Sequence, residues 1–357
     1  MTKYNFYAGP AILPKEVMAE ASKSALELGD TGLSILEMSH RSKEVAAVMD
    51  EAQASVYELL GISADDYDVL FLQGGASSQF FMTAMNFLGQ DEVAGYVDTG
   101  AWSTKAFKEA SKFGNASIIA SSKDTNYNYI PKGYAIDEAS KYLHLTSNNT
   151  IFGTQFQSFP DTKVPFICDM SSEIFSRKLD MSKFGVIYAG AQKNLGPAGV
   201  TLVIMNKEFA AKTAREVPTM LDYQTHVKKD SAFNTPPVFP IYVSMLTMRW
   251  IKKHGGVEAM QAKNEQKAGL LYGEIDRNPL FHGTAAKEDR SMMNVCFLLH
   301  DETLTDGFLS ACADANCIGV KGHRSVGGFR ASIYNAMPEA GVQKLVDVMK
   351  QFESANA

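Results

Sequence analysis

Apolar positions along this chain follow two periods. Short continuous runs at Tyr67 to Leu72, Val93 to Val97, Leu143 to Thr146, Val164 to Asp169, Val186 to Ala189 and Val200 to Met205 have the length and β-branched content of buried strands. Between them the spacing becomes helical. Glu44 to Leu60 sets Val45, Val48, Met49, Ala52, Val56, Leu59 and Leu60 on one face, Gly74-Gly75 opens a helix to about Leu88, and Lys105 to Phe113 predicts another. Strands alternating with helices predict an α/β fold with a mainly parallel sheet. After Pro236-Pro237 the pattern changes to helices at Tyr242 to Lys253 and Val257 to Asp276, then a strand at Asn294 to Leu299, a helix at Thr303 to Ala315, a strand at Phe329 to Ile333 and a helix at Pro338 to Glu353.

At 357 residues the chain exceeds the roughly 250–300 that one core accommodates, so two domains are expected. The change in pattern divides them into a large domain over 16–256 and a smaller α+β domain over 257–357, completed by 1–15. A net charge of −6 gives no reason to expect nucleic acid or an anionic membrane as partner, and an anionic substrate would need locally gathered cations. The four cysteines, Cys168, Cys296, Cys312 and Cys317, have neither C-x-x-C spacing nor histidine companions. They are expected to be reduced core residues, with no metal bound. The first residues lack an apolar signal core and no run reaches the ~18–20 apolar residues of a membrane span, so a cytoplasmic protein is expected.

Between the runs ending at Ala189 and beginning at Val200 lies Gly190-Ala-Gln-Lys193-Asn-Leu-Gly196-Pro-Ala-Gly199. A lysine is costly to hold between buried strands unless its charge is removed or used. The small neighbours leave room for a flat group, and desolvation favours the neutral amine that condenses with aldehydes. The segment therefore suits a Schiff-base lysine for pyridoxal phosphate. A surface lysine at a strand-to-strand turn is the alternative it leaves open.

Other positions carry chemistry of the same kind. Gln73-Gly-Gly-Ala-Ser-Ser78 ends a strand and opens a helix, where backbone N–H groups and the helix dipole favour an anion; it matches neither dinucleotide nor Walker patterns. Asp169 closes a strand, placed either to pair with a protonated ring nitrogen or to cap a helix. Trp102, in a loop after Asp98, is placed to stack on a flat ring or to join the core. His40-Arg41 and His323-Arg324, with Arg330 beyond Gly327-Gly328, gather positive charge as anion readers or as dispersed surface residues. Phe233-Asn-Thr-Pro-Pro237 places two polar side chains before a rigid turn.

Taken in this order, Asn5-Phe-Tyr-Ala-Gly-Pro10, Tyr188-Ala-Gly-Ala-Gln-Lys-Asn-Leu-Gly-Pro-Ala-Gly199, Phe233-Asn-Thr-Pro-Pro237, Lys321-Gly-His-Arg-Ser-Val-Gly-Gly328 and Arg330-Ala-Ser-Ile-Tyr-Asn-Ala-Met-Pro338 resemble the phosphoserine aminotransferases, a family of class V aminotransferases. The resemblance implies fold type I of the pyridoxal-phosphate enzymes, with a mainly parallel seven-stranded sheet in the large domain. It also implies a homodimer with shared active sites. The implied activity is amino transfer from glutamate to 3-phosphohydroxypyruvate, giving O-phosphoserine and 2-oxoglutarate in serine biosynthesis by a ping-pong mechanism with pyridoxal 5'-phosphate.

Carried over by motif, Lys193 bears the cofactor and moves the Cα proton, Asp169 pairs with the ring nitrogen, Trp102 stacks on the ring and Thr150 lies near its ring oxygen. Ala76, Ser77 and Gln192 hold the cofactor phosphate, which Asn234 and Thr235 reach from the neighbouring subunit. Arg330 grips the substrate α-carboxylate, while His40, Arg41, His323 and Arg324 read the distal phosphate or carboxylate. Some family members have an arginine where this chain has Ser77, so phosphate binding here leans on the His-Arg pairs. Two rival readings are a cysteine desulfurase, which needs a mobile nucleophilic cysteine, and a non-catalytic α/β binding protein.

Overall fold

The structure is a computed structural model that describes residues 2–211 and 213–356. Its main sheet has seven strands in the order Tyr67–Leu72, Thr201–Asn206, Phe184–Gly190, Phe166–Asp169, Tyr142–Thr146, Val93–Asp98 and Asn115–Ser121. Thr201–Asn206 runs antiparallel to both neighbours, and every other pair is parallel. The reason is length. Only ten residues separate Gly190 from Thr201, too few for the crossover that a parallel return requires. The expected strands are all present. Asn115–Ser121, the edge strand, is not legible because its apolar residues, Ala116, Ile118, Ile119 and Ala120, form too short a run and none of the seven is buried.

Successive side chains of each strand enter different cores. Val186 and Tyr188 join Leu70, Tyr96, Ile167 and Phe80 on one face. Ile187 and Ala189 join Val69, Leu145, Leu202 and Val45 on the other. The helix Lys43–Leu60, packed on Val238–Lys253, covers this second face. It starts where Ser42 accepts from the Val45 N–H at 3.2 Å and stops at Gly61 in left-handed conformation.

A third core gathers Phe6, Leu271, Phe297, Phe308, Phe329 and Leu345 around an antiparallel sheet of Phe281–Gly283, Asn294–Leu299 and Phe329–Ser332. Tyr4–Asn5 pairs in parallel with Cys317–Ile318 and carries Phe6 into that core. The helix Gly256–Arg277 serves two cores, with Val257 and Met260 beside the main sheet and Ala268, Leu271 and Ile275 beside the smaller one.

The seam between them is polar and closed to water. Asn148 donates to the Asn294 side-chain oxygen at 2.7 Å and to Ser172 Oγ at 2.8 Å. Asn294 in turn donates to Ser332 Oγ at 2.9 Å and the Tyr334 hydroxyl at 3.1 Å, and that hydroxyl donates to the Ala8 carbonyl at 2.7 Å. Every member of such a network is costly to leave unpaired. Asn294→Ala is therefore expected to lower the unfolding free energy by about 3 kcal/mol in urea at unchanged m-value. A loss below about 1 kcal/mol would mean that water replaces the amide and the seam is not sealed.

Candidate active site

The connection that carries Lys193 is shaped by its own backbone. The Ala191 N–H donates to the Val200 carbonyl at 3.0 Å and the Gly196 N–H to the Ala191 carbonyl at 2.7 Å. From the far end of the sequence Ala11 donates its N–H to the Gln192 carbonyl at 2.9 Å, which brings Gly9 against the lysine stem. A Cβ on Gly9, whose φ is +154°, would lie 3.3 Å from Lys193 Cγ.

Lys193 Nζ donates to Thr150 Oγ1 at 2.6 Å. Asp169, buried at the end of its strand, accepts from the Ser171 N–H at 2.9 Å, so the carboxylate also pins the turn that follows it. Burial raises the Asp169 pKa, against the opposing charge of Lys193. Burial lowers the Lys193 ammonium to about 8; the Asp169 charge opposes this and Arg330 adds to it. Arg330 donates from Nη1 to the Thr150 carbonyl at 3.2 Å, and its Nε is buried without a partner among the described residues. The Arg330 guanidinium thus keeps donors free for an incoming carboxylate.

The anion turn takes the expected form. Gly74 adopts φ +92°, where a Cβ would stand 2.0 Å from Ser78 Oγ, and the helix Gly75–Phe87 begins beyond it. Ala76 and Ser77 lie in its first turn, whose N–H groups have no acceptor within the helix. Trp102 differs from expectation. It is not in a loop but in the first turn of the helix Ala101–Ala110, which begins four residues before the expected Lys105. Ser103 Oγ accepts from the Thr99 and Gly100 N–H groups at 3.0 Å, a start signal that hydrophobic periodicity does not carry. The Trp102 ring lies 5.9 Å from Lys193 Nζ and its Nε1 is buried without a partner among the described residues.

One cleft joins Ala76, Ser77, Trp102, Thr150, Asp169, Gln192 and Lys193. Asn148, Ser171 and Ser172 line it as well; they were not singled out, although all three stand in the segments that carry Thr150 and Asp169. Asn234 lines a separate pocket with Phe71, Gly74 and Met220, and Gln73 Nε2 donates to the Thr235 carbonyl at 3.0 Å. His40 and Arg41 precede the helix cap Ser42 and are not among the cleft's lining residues. His323, which accepts from the Ser325 N–H at 3.2 Å, titrates below its usual range through burial and then the charges of Arg330 and Arg324. The loop therefore gathers His323 and the exposed Arg324 around the Arg330 end of the site. All four cysteines are buried free thiols. Among the described residues no group of three or more His, Cys, Asp or Glu side chains is placed for a metal ion, and no helix is long and apolar enough to cross a membrane.

In protein freed of carbonyl compounds, the Lys193 amine should react with an aldehyde at a rate that rises as pH passes through about 8, since only the neutral amine attacks. Asp169→Asn removes the charge that opposes the shift and should move this midpoint lower. A midpoint near 10.5 would show the ammonium to be solvated, with no effect of its enclosure.

Residues 3–345 match the family described as aminotransferase class-V. The chain is 58% identical to the phosphoserine aminotransferase of Flavobacterium johnsoniae, with 99% of each chain covered. The phosphoserine aminotransferase structure from Bacillus circulans subsp. alkalophilus has a TM-score of 0.96 at 48% identity, covering 100% of this chain and 99% of that one. The pyridoxal-phosphate-bound phosphoserine aminotransferase of Trichomonas vaginalis has a TM-score of 0.93 at 36% identity, covering 98% and 100%. With the enclosed lysine, strand-end aspartate and open helix terminus in one cleft, the chain belongs to the phosphoserine aminotransferase branch of the class-V aminotransferases.

Proposed function

We propose that the protein transfers the amino group of glutamate to 3-phosphohydroxypyruvate, releasing 2-oxoglutarate and O-phosphoserine in two successive half-reactions. The observation that carries this reading is the grouping of Thr150, Asp169 and Arg330 around Lys193: Thr150 accepts from its Nζ, Asp169 shares its cleft, and Arg330 donates to the Thr150 carbonyl and acts on the lysine through its charge. Pyridoxal 5'-phosphate fits the residues around it. The cleft offers an amine of lowered pKa, an unpartnered indole N–H at Trp102 and the free backbone N–H groups of Ala76 and Ser77. When bound, that cofactor supplies an electron-withdrawing ring and stores the amino group between half-reactions.

The chain's own residues hold and steer. Ala76, Ser77 and Gln192 would hold the phosphate end, Trp102 would stack on the ring, and the Asp169 carboxylate would favour a proton on the ring nitrogen. Thr150 orients Lys193 Nζ, which takes up and returns the substrate Cα proton; an amine titrating near 8 is basic enough to do so, and far more of it is neutral around pH 7–8 than of an ordinary lysine. Arg330 binds the α-carboxylate common to both amino acids through its paired N–H donors.

His40, Arg41, His323 and Arg324 read the distal group, which is a phosphate in one substrate and a carboxylate in the other. Asn234 and Thr235 act on the cofactor phosphate of a second copy in a homodimer. The position of Asn234 in a pocket apart from its own Lys193, and the absence of Thr235 from the Lys193 cleft lining, support that reading. The large domain comprises 16–256 and the small one 257–357 with 1–15, and the enzyme works in the cytoplasm. A cysteine desulfurase is disfavoured, because burial pushes the Cys168 thiol well above its usual range and Cys296 up to about 12.

The test is a visible spectrum during two additions to the holoenzyme. Glutamate should bleach the yellow protein, and 3-phosphohydroxypyruvate should restore the colour where unphosphorylated keto acids do not. A yellow protein that glutamate leaves unchanged sinks the substrate assignment. Arg330→Lys should raise KM for glutamate and phosphoserine together, by about tenfold, because a point charge replaces a planar fork. Arg324→Ala should leave cofactor binding intact and weaken the phosphorylated substrates; an unaltered KM for them would remove Arg324 from the distal site.

A further inference from the structure

Among the buried titratable side chains outside the cleft, Lys267 has no carboxylate partner and no part in the chemistry above. Lys267, in the helix Gly256–Arg277, is 3% exposed. Its partners are two carbonyl oxygens rather than a carboxylate: Nζ donates to Ile333 at 2.9 Å and to Tyr334 at 2.8 Å. An ammonium so placed would be costly to desolvate. Burial, with the charge of Lys263 adding to it, lowers the group to about 7. The neutral amine has two N–H bonds, and the two carbonyls accept both.

The acceptors matter for what they join. Ile333 and Tyr334 directly follow the strand Phe329–Ser332, which carries Arg330. One turn earlier on the same helix, Asn264 donates to the Asn335 side-chain oxygen at 2.8 Å and to the Ser176 carbonyl at 3.0 Å. Asn335 in turn donates its N–H at 2.9 Å to Asn194, the residue beside Lys193. Successive carbonyls of an extended strand point in opposite directions, so one amine reaches both only where the backbone turns. The two bonds thus define how the chain leaves the Arg330 strand and passes to the Lys193 loop.

We infer that Lys267 is a positioning residue for substrate carboxylate binding, holding Ile333–Asn335 and through it the Arg330 guanidinium in register with Lys193. The inference rests on the reading of Arg330 as the α-carboxylate holder. It assigns to a lysine remote from the cleft a share of substrate affinity that its burial alone does not require.

The experiment is calorimetric binding of 2-oxoglutarate to the holoenzyme, since this keto acid carries the α-carboxylate but has no amino group to give. Lys267→Met fills the space without N–H donors and should weaken binding about tenfold at unchanged cofactor content. Arg330→Lys should weaken it too, and the double variant should bind no worse than Arg330→Lys alone, because both act on one contact. Lys267→Gln, which keeps a pair of N–H donors, should stay within about threefold of the parent. A Lys267→Met protein that binds as the parent does, while Arg330→Lys is weakened, overturns the inference alone. Independent, multiplying losses in the double variant overturn it as well. An Arg330→Lys protein of unaltered affinity overturns the reading of Arg330 and this inference together. Should Lys267→Met give no soluble holoenzyme, Lys267→Gln carries the test: a tenfold loss that multiplies with Arg330→Lys overturns the proposal, and retained affinity supports it.

Discussion

Removal of one amine from water is the constraint around which this molecule is arranged. Lys193 cannot sit beside two buried strands as an ordinary ammonium, and its surroundings set how far it is pushed towards neutrality. Asp169 restrains the shift, Arg330 reinforces it and Thr150 fixes where the nitrogen points. Each of these groups comes from a different element, so the balance exists only once the main sheet and the smaller antiparallel sheet have come together. Their contact is correspondingly polar. The Asn148–Asn294 pair and its hydroxyl partners join the segments that carry Thr150 and Arg330, so the bonds that seal the seam also align the site.

Much of this is legible in the residues, and the exceptions have physical causes. Lys193 and Asp169 stand out because polar groups at the ends of apolar runs break a strong pattern. The sequence suggests a loop at Trp102 because the start of that helix is set by Ser103, a local hydrogen-bonding cap, and not by hydrophobic periodicity. The edge strand Asn115–Ser121 is hard to read because its apolar residues neither alternate cleanly nor form a run as long as those of the buried strands. The grouping of His323 and Arg324 with Arg330 depends on loop geometry, which no periodicity encodes.

Lys267 is the instructive omission. Val257, Met260, Asn264, Lys267, Leu271 and Glu274 follow alternating steps of three and four and are all buried. Three of them are polar, and a reading that scores hydrophobicity discards them, whereas the spacing itself marks them as inward-facing. A polar residue in phase with an apolar stripe is a buried hydrogen-bonding commitment, and here two of the three bind the stretch that leads out of the Arg330 strand.

The pairing of Tyr4–Asn5 with Cys317–Ile318 has a consequence for how the protein comes into being. The residues that bring Gly9 against Lys193 are made before the main sheet, while the strand that pairs with Tyr4–Asn5 is made after it. A nascent chain can complete the main sheet and still lack the wall on one side of its lysine. The pairing that anchors the segment before Gly9 therefore waits until Cys317–Ile318 has been made, after every strand of the main sheet.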